Sequence, residues 1–373
     1  MSAPTADELL EGIRSWVEIE SQTADLEGVN RMMDKAAADF SAAGGRVERI
    51  SGTRGMGDHL LIRSPWGGDG PGVLVLCHLD TVHPRGTLAK LPFRVDGDRA
   101  YGPGTYDMKG GAYLALAAFR QIVAEGRTTP LPLRFLYVAD EEVGSVTSRA
   151  HIEKYGFASK YVLVTEPCRD GGKVVTGRKG TARFDIEAHG RPAHSGSRHQ
   201  DGRSAIREIA RQILDIEAMT DYERGVTTNV GTIEGGTTAN TVPAHCRVRV
   251  DVRIQKPEDA DVMVERIRTL KPYDKDVRLE IRGQLNRPPY EKTPEIDALY
   301  RHARSIARQE LGIELGEVFT GGGSDGNFTA AKVATLDGLG VDGAGGHTLD
   351  EHLLVSSLVP RMTLQRRLME TLE

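Results

Sequence analysis

Residues 73–82 read VLVLCHLDTV, and this stretch decides the fold class. The unbroken apolar run 73–77 predicts a strand buried on both faces, as in a parallel sheet covered by helices. His78 and Asp80 follow at its carboxyl end. Ligands of open α/β sheets bind outside the carboxyl ends of the strands. The stretch therefore predicts both an α/β domain and a functional site at the end of this strand.

Four further stretches place metal-ligand-type side chains after an apolar run or within a Gly-rich turn. They are Asp107 in GPGTYDMKGG (102–111), Glu141 and Glu142 in FLYVADEEVGS (135–145), Glu166 in YVLVTEP (161–167) and His347 in GGHTLDE (345–351). Oxygen and nitrogen donors without sulfur suit zinc or a similar divalent cation. Together with His78, the set predicts a two-metal hydrolytic centre.

Each of these residues, when considered alone, also has a simpler interpretation that involves no metal. Asp107 could cap the following helix, and Glu166 or His347 could be an ordinary surface residue. Only the set predicts metal, with Asp107 favoured as a bridge between two ions. His352 is a competing candidate that the pattern places at the start of the next helix.

The neighbouring acids suggest supporting roles. Asp80 can hold one ring nitrogen of His78 and leave the other free for metal. Glu141 and Glu142 follow a strand, where successive side chains point opposite ways, so one can bind metal while the other takes a proton from water. The residues leave the order of these two roles open.

A change in the pattern of apolar residues near residue 180 predicts a second domain. TARFDIEAHG (181–190) and RVRVDVRI (247–254) alternate apolar and polar residues, as in an antiparallel sheet with one open face. The order strand-helix-strand-strand-helix-strand predicts a ferredoxin-like domain. We therefore predict a mostly parallel-sheet α/β domain at 1–179 and 288–373, interrupted by an inserted β-α-β-β-α-β domain at 180–287.

The composition excludes several classes of function. A formal net charge of -5 provides no basic excess to neutralise nucleic-acid phosphates. No apolar stretch approaches the roughly 18 residues that span a bilayer, and the acidic N-terminus lacks the features of a signal peptide. The cysteines, Cys77, Cys168 and Cys246, show no pairing framework. We expect a cytoplasmic protein that binds neither nucleic acid nor membranes.

In order and spacing, these motifs resemble those of the di-zinc aminoacylase–carboxypeptidase metallopeptidases, and most of all the folate-cleaving bacterial glutamate carboxypeptidases. Further matching segments are GRKGTARF (177–184), GRPAHSG (190–196), GGTTANTVPAHCRVRVDVR (235–253), RPP (287–289) and TGGGSDG (320–326). The resemblance implies a hydrolase that cleaves the amide bond of an N-acyl amino acid or a C-terminal residue. It also implies two zinc ions per chain, with cobalt or manganese as possible substitutes.

The resemblance assigns the metal ligands. Asp107 would bridge the two zinc ions, His78 and Glu166 would hold one of them, and Glu142 and His347 would hold the other. Glu141 would be the general base for a water that bridges the ions, and Asp80 would orient His78.

The resemblance also implies which residues contact the substrate. The inserted domain would be a dimerisation domain and lid in a homodimer, and His194 would reach the partner's site to polarise the scissile carbonyl. The substrate would be a small molecule or dipeptide with a free carboxylate. Its expected contacts are Asn240, Arg253, Arg287, Gly322, Gly323 and Ser324.

Two alternatives remain open at this point. An N-acyl amino acid deacylase of the acetylornithine or succinyl-diaminopimelate type would share every metal ligand and would differ around Arg287 and the lid pocket. A non-catalytic binding protein with a relict metal centre is a remote alternative. The intact Glu141, Asp80 and five ligand residues argue against it.

Overall fold

The computed structural model describes residues 3–373, which form two compact units. Of these residues, the first unit comprises 3–176, Lys292–Phe319 and Ser324–Glu373, and the second comprises Gly177–Glu291 and Thr320–Gly323. The predicted domain boundaries were 179/180 and 287/288, and residues 320–323 were predicted to belong to the first domain. Met1 and Ser2 of the predicted 1–179 segment lie outside the described residues.

Several helices begin at a capping side chain or a proline; Thr5, for example, forms a capping box with Glu8. In residues 3–373 the α-helices are α1 Ala6–Val17, α2 Leu26–Ala42, α3 Gly110–Ala124, α4 Arg149–Phe157, α5 Ala205–Glu217, α6 Pro257–Arg268, α7 Pro294–Glu310 and α8 Leu358–Thr371. No helix in this part of the chain is long and apolar enough to cross a membrane.

Most strands coincide with the apolar or alternating runs of the sequence. In the same residues the strands are β1 Arg46–Ile50, β2 His59–Arg63, β3 Val73–His78, β4 Arg94–Asp96, β5 Arg99–Tyr101, β6 Leu133–Val138, β7 Tyr161–Val164, β8 Val174–Arg178, β9 Gly180–His189, β10 Thr227–Gly235, β11 His245–Ile254, β12 Arg278–Arg287, β13 Glu317–Thr320, β14 Ala334–Leu336, β15 Gly343–Ala344 and β16 His352–Leu354.

The first unit is built on a sheet with the strand order β1-β2-β6-β3-β7-β14. The pairs β6–β3, β3–β7 and β7–β14 are parallel, whereas β1 and β2 add an antiparallel edge. One face packs against α1, α2, α3, α7 and α8, and the other packs against α4. Every residue of β3 is consequently buried. The predicted mostly parallel α/β fold is confirmed.

The second unit contains an antiparallel sheet with the strand order β10-β11-β9-β12. Its apolar face packs against α5 and α6, and its other face is open and charged. The chain order β9-α5-β10-β11-α6-β12 is the β-α-β-β-α-β order that the sequence predicts. Its strand order is that of a ferredoxin-like fold.

One local prediction is wrong. His352 opens strand β16 and not the next helix, which begins at Leu358. Strands β15, β16, β5 and β4 form a small antiparallel sheet. Strands of two or three residues are too short to show a period, which explains why the sequence did not reveal them.

Candidate metal centre

Three neighbouring parallel strands of the first unit bring the candidate residues to one edge of the sheet. His78 is the last residue of β3, Glu141 and Glu142 follow β6, and Glu166 follows β7. Since β3 lies between β6 and β7, their carboxyl ends meet at this edge. These side chains therefore lie at the carboxyl end of β3, where the stretch VLVLCHLDTV predicts a functional site.

Asp107 joins the cluster through the turn that precedes α3. The helix start packs so closely on the end of β7 that a Cβ at Gly111 would lie 2.1 Å from the Thr165 carbonyl oxygen. Only glycine permits this approach. The turn Thr105–Lys109 thereby holds the Asp107 carboxylate beside the strand ends.

The two oxygens of Asp107 face two different histidines. Oδ1 lies 3.1 Å from His78 Nε2, and Oδ2 lies 3.4 Å from His347 Nε2. Glu166 Oε1 lies 3.6 Å from His78 Nε2, and Glu142 Oε2 lies 3.3 Å from His347 Nε2. The five side chains thus form two donor groups that share one carboxylate.

This donor set fits divalent cations. His78, Asp107 and Glu142 offer ligand atoms within 4.8 Å of one another, and so do His78, Glu141 and Glu166. Among the described residues, the buried Oε1 of Glu142 has no hydrogen-bond partner. An unpaired buried carboxylate oxygen is costly unless a cation compensates it.

The electrostatics of the cluster point the same way. Burial raises the pKa of Glu142 to about 8, and the Asp107 carboxylate adds to this effect. Hydrogen bonds to Asp107 and Glu142 raise the pKa of His347 to about 10. Burial would lower the pKa of His78, but hydrogen bonds to Asp107 and Asp80 hold it well above its usual value. Raised pKa values of these three ligand-type groups mean that protons compete with metal ions for the site.

The His78 ring is oriented chiefly by a backbone group. Its Nδ1 lies 2.9 Å from the Asp80 carbonyl oxygen and 3.6 Å from Asp80 Oδ1. A proton on Nδ1 that is donated to the carbonyl leaves Nε2 free to bind a cation. The Asp80 atom nearer to the ring is therefore its main-chain oxygen and not its carboxylate.

The Asp80 carboxylate instead holds the turn that carries the two glutamates. The backbone N–H of Glu141 donates to Oδ1 at 3.1 Å, and that of Glu142 donates to Oδ2 at 3.2 Å. Thr23 Oγ1 donates to Oδ2 at 2.6 Å. Glu141 and Glu142 lie in a short 3-10 turn, Glu141–Val143, and not in the extended backbone that the sequence suggested.

Asp140 does not join the cluster, although it adjoins both glutamates. Its carboxylate accepts hydrogen bonds from the Thr147 N–H and hydroxyl groups and from the Ser148 hydroxyl. It therefore fixes the loop before α4. Neutral donors thus stabilise the Asp140 carboxylate away from the two donor groups.

A buried pair that sequence reasoning missed supports the turn of Asp107. The Glu351 carboxylate accepts hydrogen bonds from the N–H groups of Gly104, Tyr106 and Asp107 and pairs with His83 Nε2. The two residues are 268 positions apart, so no local signal connects them.

In the second unit, arginines gather around the glycine segment 321–323. Arg253 Nη1 donates to the Gly321 carbonyl at 3.4 Å and its Nε to Asp251 at 2.7 Å. Arg287 is buried, and a Cβ at Gly323 would lie 2.9 Å from its Cδ. Arg178, which the sequence analysis missed although it lies in GRKGTARF, donates to the Gly322 carbonyl at 3.0 Å. The unit thus concentrates cationic groups at this segment.

Ser324 belongs to the first unit and is engaged within it. Its N–H donates to Asn327 Oδ1 at 2.9 Å, and its hydroxyl donates to Asp337 Oδ2 at 2.5 Å. Its predicted role as a backbone donor to substrate therefore lacks support, because the N–H already has an acceptor.

His194 and Asn240 lie close together on an exposed part of the second unit. His194 pairs with Thr241 in a β-bridge, and the Ser195 N–H donates to the Asn240 carbonyl at 3.0 Å. The N–H groups of Gly196 and Ser197 donate to His194 Nδ1 at 3.1 and 3.2 Å. In the neutral ring the proton therefore sits on Nε2, which can donate a hydrogen bond outward.

Comparisons with known proteins give a family and several relatives. The sequence profile of Peptidase family M20/M25/M40 matches residues 74–371. Carboxypeptidase G2 of Pseudomonas sp. (strain RS-16) is 30% identical over 362 residues, which cover 95% of this chain and 86% of that protein. A succinyl-diaminopimelate desuccinylase of Delftia acidovorans is 26% identical, over 83% of this chain and 84% of that protein.

Solved structures share the fold. Aminopeptidase PepT from Bacillus cereus superposes with a TM-score of 0.80 at 21% identity, and 99% of each chain is covered. The M20 family metallo-carboxypeptidase Sso-CP2 from Sulfolobus solfataricus gives a TM-score of 0.77 at 15% identity, over 98% of this chain and 99% of that chain. At these identities the likeness concerns the fold alone.

Proposed function

This chain belongs to Peptidase family M20/M25/M40, and within that metal-dependent family we propose that it is an exo-acting carboxypeptidase-like hydrolase. Its substrate is an N-acyl amino acid or short peptide whose released residue carries a free α-carboxylate. The observation that carries this proposal is the Asp107 carboxylate, whose two oxygens lie 3.1 and 3.4 Å from histidines of separate elements.

The donor groups suggest how two divalent ions would be held. His78, Asp107 and Glu166 would hold one ion, and Asp107, Glu142 and His347 would hold the other. Zinc suits these ligands best, and cobalt or manganese could replace it. When bound, the ions supply Lewis-acid polarisation of the substrate carbonyl and lower the pKa of a bound water.

Glu141 is the proposed general base. A carboxylate oxygen of Glu141 lies within 4.8 Å of the ligand atoms of His78 and Glu166, and its backbone is fixed by Asp80. It accepts a proton from the attacking water and returns it to the amine as the carbon–nitrogen bond breaks. The side chain of the neighbouring Glu142 is only 7% exposed and faces His347, which suits a metal ligand better than a base.

The arginine cluster of the second unit is the proposed site for the substrate carboxylate. A guanidinium can grip a carboxylate through two parallel hydrogen bonds. Arg253 and Arg287 both lie opposite Thr181 in the sheet register, so the strands on either side of β9 present them. Asn240, Gly322 and Gly323 remain proposed contacts, whereas Ser324 drops out because its N–H is occupied.

The second unit also has features suited to a homodimer. Strand β10 lies at an edge of the sheet, and residues 231–240 are exposed. Unpaired edges and exposed apolar side chains mark association surfaces. Such side chains are Ile206, Leu214 and Ile233. We propose a dimer through this surface in which His194 of one subunit polarises the substrate carbonyl in the other.

The proposed compartment is the cytoplasm. All three cysteines are buried and unpaired, as expected where thiols stay reduced. Cys77 and Cys168 in particular have pKa values raised by burial, to about 12 and about 11. They are therefore poorly ionised and unreactive at neutral pH.

A substrate panel with a base-deficient variant tests the function. We would assay dipeptides ending in Glu or Asp, their C-terminal amides, N-acetylornithine and N-succinyl-diaminopimelate with added zinc or cobalt. The proposal expects hydrolysis of the free-acid peptides and little of the amides. Preference for the last two substrates would favour the deacylase alternative, which the desuccinylase relative supports.

Glu141→Gln, compared with Glu153→Gln on helix α4, tests the mechanism. The first variant should lose at least about 100-fold in turnover while keeping its bound metal and its melting temperature. The second should behave like the natural protein. Full activity of Glu141→Gln would remove the base assignment, and less than one metal ion per chain in the natural protein would revive the relict-centre alternative.

A further inference from the structure

The open face of the second unit carries a second group of metal-ligand-type side chains. His189 is the last residue of β9, and His245, the first residue of β11, lies directly opposite it. Glu187 lies two residues before His189 and therefore projects from the same face. None of the three belongs to the metal centre of the first unit. Adjacent strands thus present two imidazoles and a carboxylate together.

The distances within this group are close to those of a coordination shell. Glu187 Oε2 lies 3.0 Å from His245 Nε2 and 3.7 Å from His189 Nε2. All three ligand atoms lie within 4.8 Å of one another. In tetrahedral zinc sites, metal–ligand distances of about 2.0–2.2 Å separate neighbouring donors by about 3.4 Å. The observed separations need only small side-chain rotations to reach that value.

One donor in the group has no hydrogen bond. Among the described residues, His189 Nε2 is buried and lacks a hydrogen-bond partner. Its nearest carboxylate oxygens are those of Glu280, at 3.6 Å, and Glu187, at 3.7 Å, both beyond hydrogen-bond range. A buried imidazole nitrogen that lies near two carboxylates without a hydrogen bond can bind a cation through its lone pair.

The surrounding charges leave Glu187 available. Arg278 and Arg282 contact Glu280 at 2.5 and 2.8 Å and so neutralise it. Arg247 pairs with Asp185, which lies two residues before Glu187 on the same face of β9. Arg282 reaches Glu187 only at 3.9 Å. Glu187 is therefore not strongly paired with an arginine.

We propose that Glu187, His189 and His245 bind a divalent transition-metal ion, with zinc as the best match to two imidazoles and one carboxylate. Such an ion would link β9 to β11 at the end of the sheet where both histidines lie. Binding would couple metal uptake to the stability of the second unit, since the ligands come from different strands. The alternative is that His189 and His245 form ion pairs with the neighbouring carboxylates and bind no metal.

Metal stoichiometry of the full chain tests the site independently of turnover. We would equilibrate the natural protein, His245→Gln and His199→Gln against zinc and measure bound metal by elemental analysis. His245 and His199 are both exposed, so neither change should disturb folding. We expect His245→Gln to bind one ion fewer per chain than the natural protein, and His199→Gln to bind the same number.

Cobalt gives a second readout. Its visible absorption should contain a component that disappears in His245→Gln, and the rise in melting temperature caused by added metal should shrink in that variant alone. Hydrolytic activity should stay unchanged, which separates this site from the metal centre. Equal metal content in all three proteins would overturn the proposal and leave the histidines as ion-pair partners.

Discussion

The carboxylate of Glu351 accepts a hydrogen bond of 2.9 Å from the backbone N–H of Asp107, the residue that faces both histidines of the metal centre. The same oxygen accepts the Tyr106 N–H at 3.0 Å, and the other accepts the Gly104 N–H at 3.1 Å and contacts His83. Glu351 is wholly buried. It also lies four residues after His347, so it ties the loop of one ligand to the turn of another.

The first prediction concerns Glu351→Gln. An amide offers one acceptor atom where the carboxylate offers two, so at least one buried N–H loses its partner. We expect the free energy of unfolding to fall by about 1–3 kcal/mol and metal affinity to fall by about 10–100-fold. Urea denaturation and metal titration would measure both quantities. Asp350→Asn, at the exposed neighbouring position, is the matched control; equal behaviour of the two variants would refute the role of Glu351.

The second prediction separates two roles of Asp80. Its carboxylate holds the Glu141–Glu142 turn, whereas its carbonyl oxygen holds the His78 ring. Asp80→Asn keeps the carbonyl but removes one acceptor from the turn. We expect turnover to fall by at least about 10-fold with metal content retained.

Thr23→Val is the control for that change, because it removes one hydrogen bond to Asp80 and leaves the carboxylate in place. It should have a much smaller effect on turnover. Loss of metal from Asp80→Asn, with turnover per bound metal unchanged, would show that the carboxylate acts mainly through His78.

The strand-end part of the centre was predictable because its signals are local. A buried strand leaves a continuous apolar run, and the residue after it lies at the edge where ligands bind. This logic placed His78, Glu142 and Glu166 without any knowledge of the fold. It could not place Asp107 between two histidines, since that requires Gly111 to lie against the end of β7.

The remaining features arise from contacts between distant segments. His83 pairs with Glu351, which is far away in the sequence. Arg178, Arg253 and Arg287 likewise gather around residues 321–323 only because the folded chain brings distant segments together. The expectation of extended backbone at Glu141 and Glu142 was wrong, because the strand ends before them and a 3-10 turn begins. Local sequence patterns predict helices and strands well, but they predict poorly which distant residues come into contact.

The third prediction concerns protons released on metal binding. Metal ligation needs a neutral imidazole and an ionised carboxylate, yet the pKa of His347 is raised to about 10 and that of Glu142 to about 8. Both groups therefore tend to hold protons at pH 7, and zinc must displace them. Apparent affinity should rise with pH between 7 and 10 and weaken as the pH falls.

Calorimetry in buffers of different ionisation enthalpy would count the released protons. We expect about one proton fewer on zinc uptake by His347→Asn. His352→Asn is the matched control, since His352 lies nearby with its Nδ1 against the Asp350 carbonyl oxygen. Binding heats that do not depend on buffer or pH would contradict this linkage.

The fourth prediction tests whether His194 acts across a dimer. Its Nδ1 accepts two backbone N–H groups, so Nε2 is the donor that can stabilise a developing oxyanion. His194→Ala should lose about 100-fold or more in turnover. His194→Gln, whose amide N–H can reach a similar position, should recover part of it.

Subunit mixing decides between action within one chain and action between chains. In a dimer of His194→Ala with Glu141→Ala, the first subunit keeps its base and receives His194 from the second. If subunits exchange at random, half of the dimers are mixed and one of their two sites works, so about a quarter of the natural activity should return. Each variant alone should stay inactive at the same concentration. A mixture as inactive as its components, with exchange verified by differently tagged subunits, would assign His194 to its own chain or to no catalytic role.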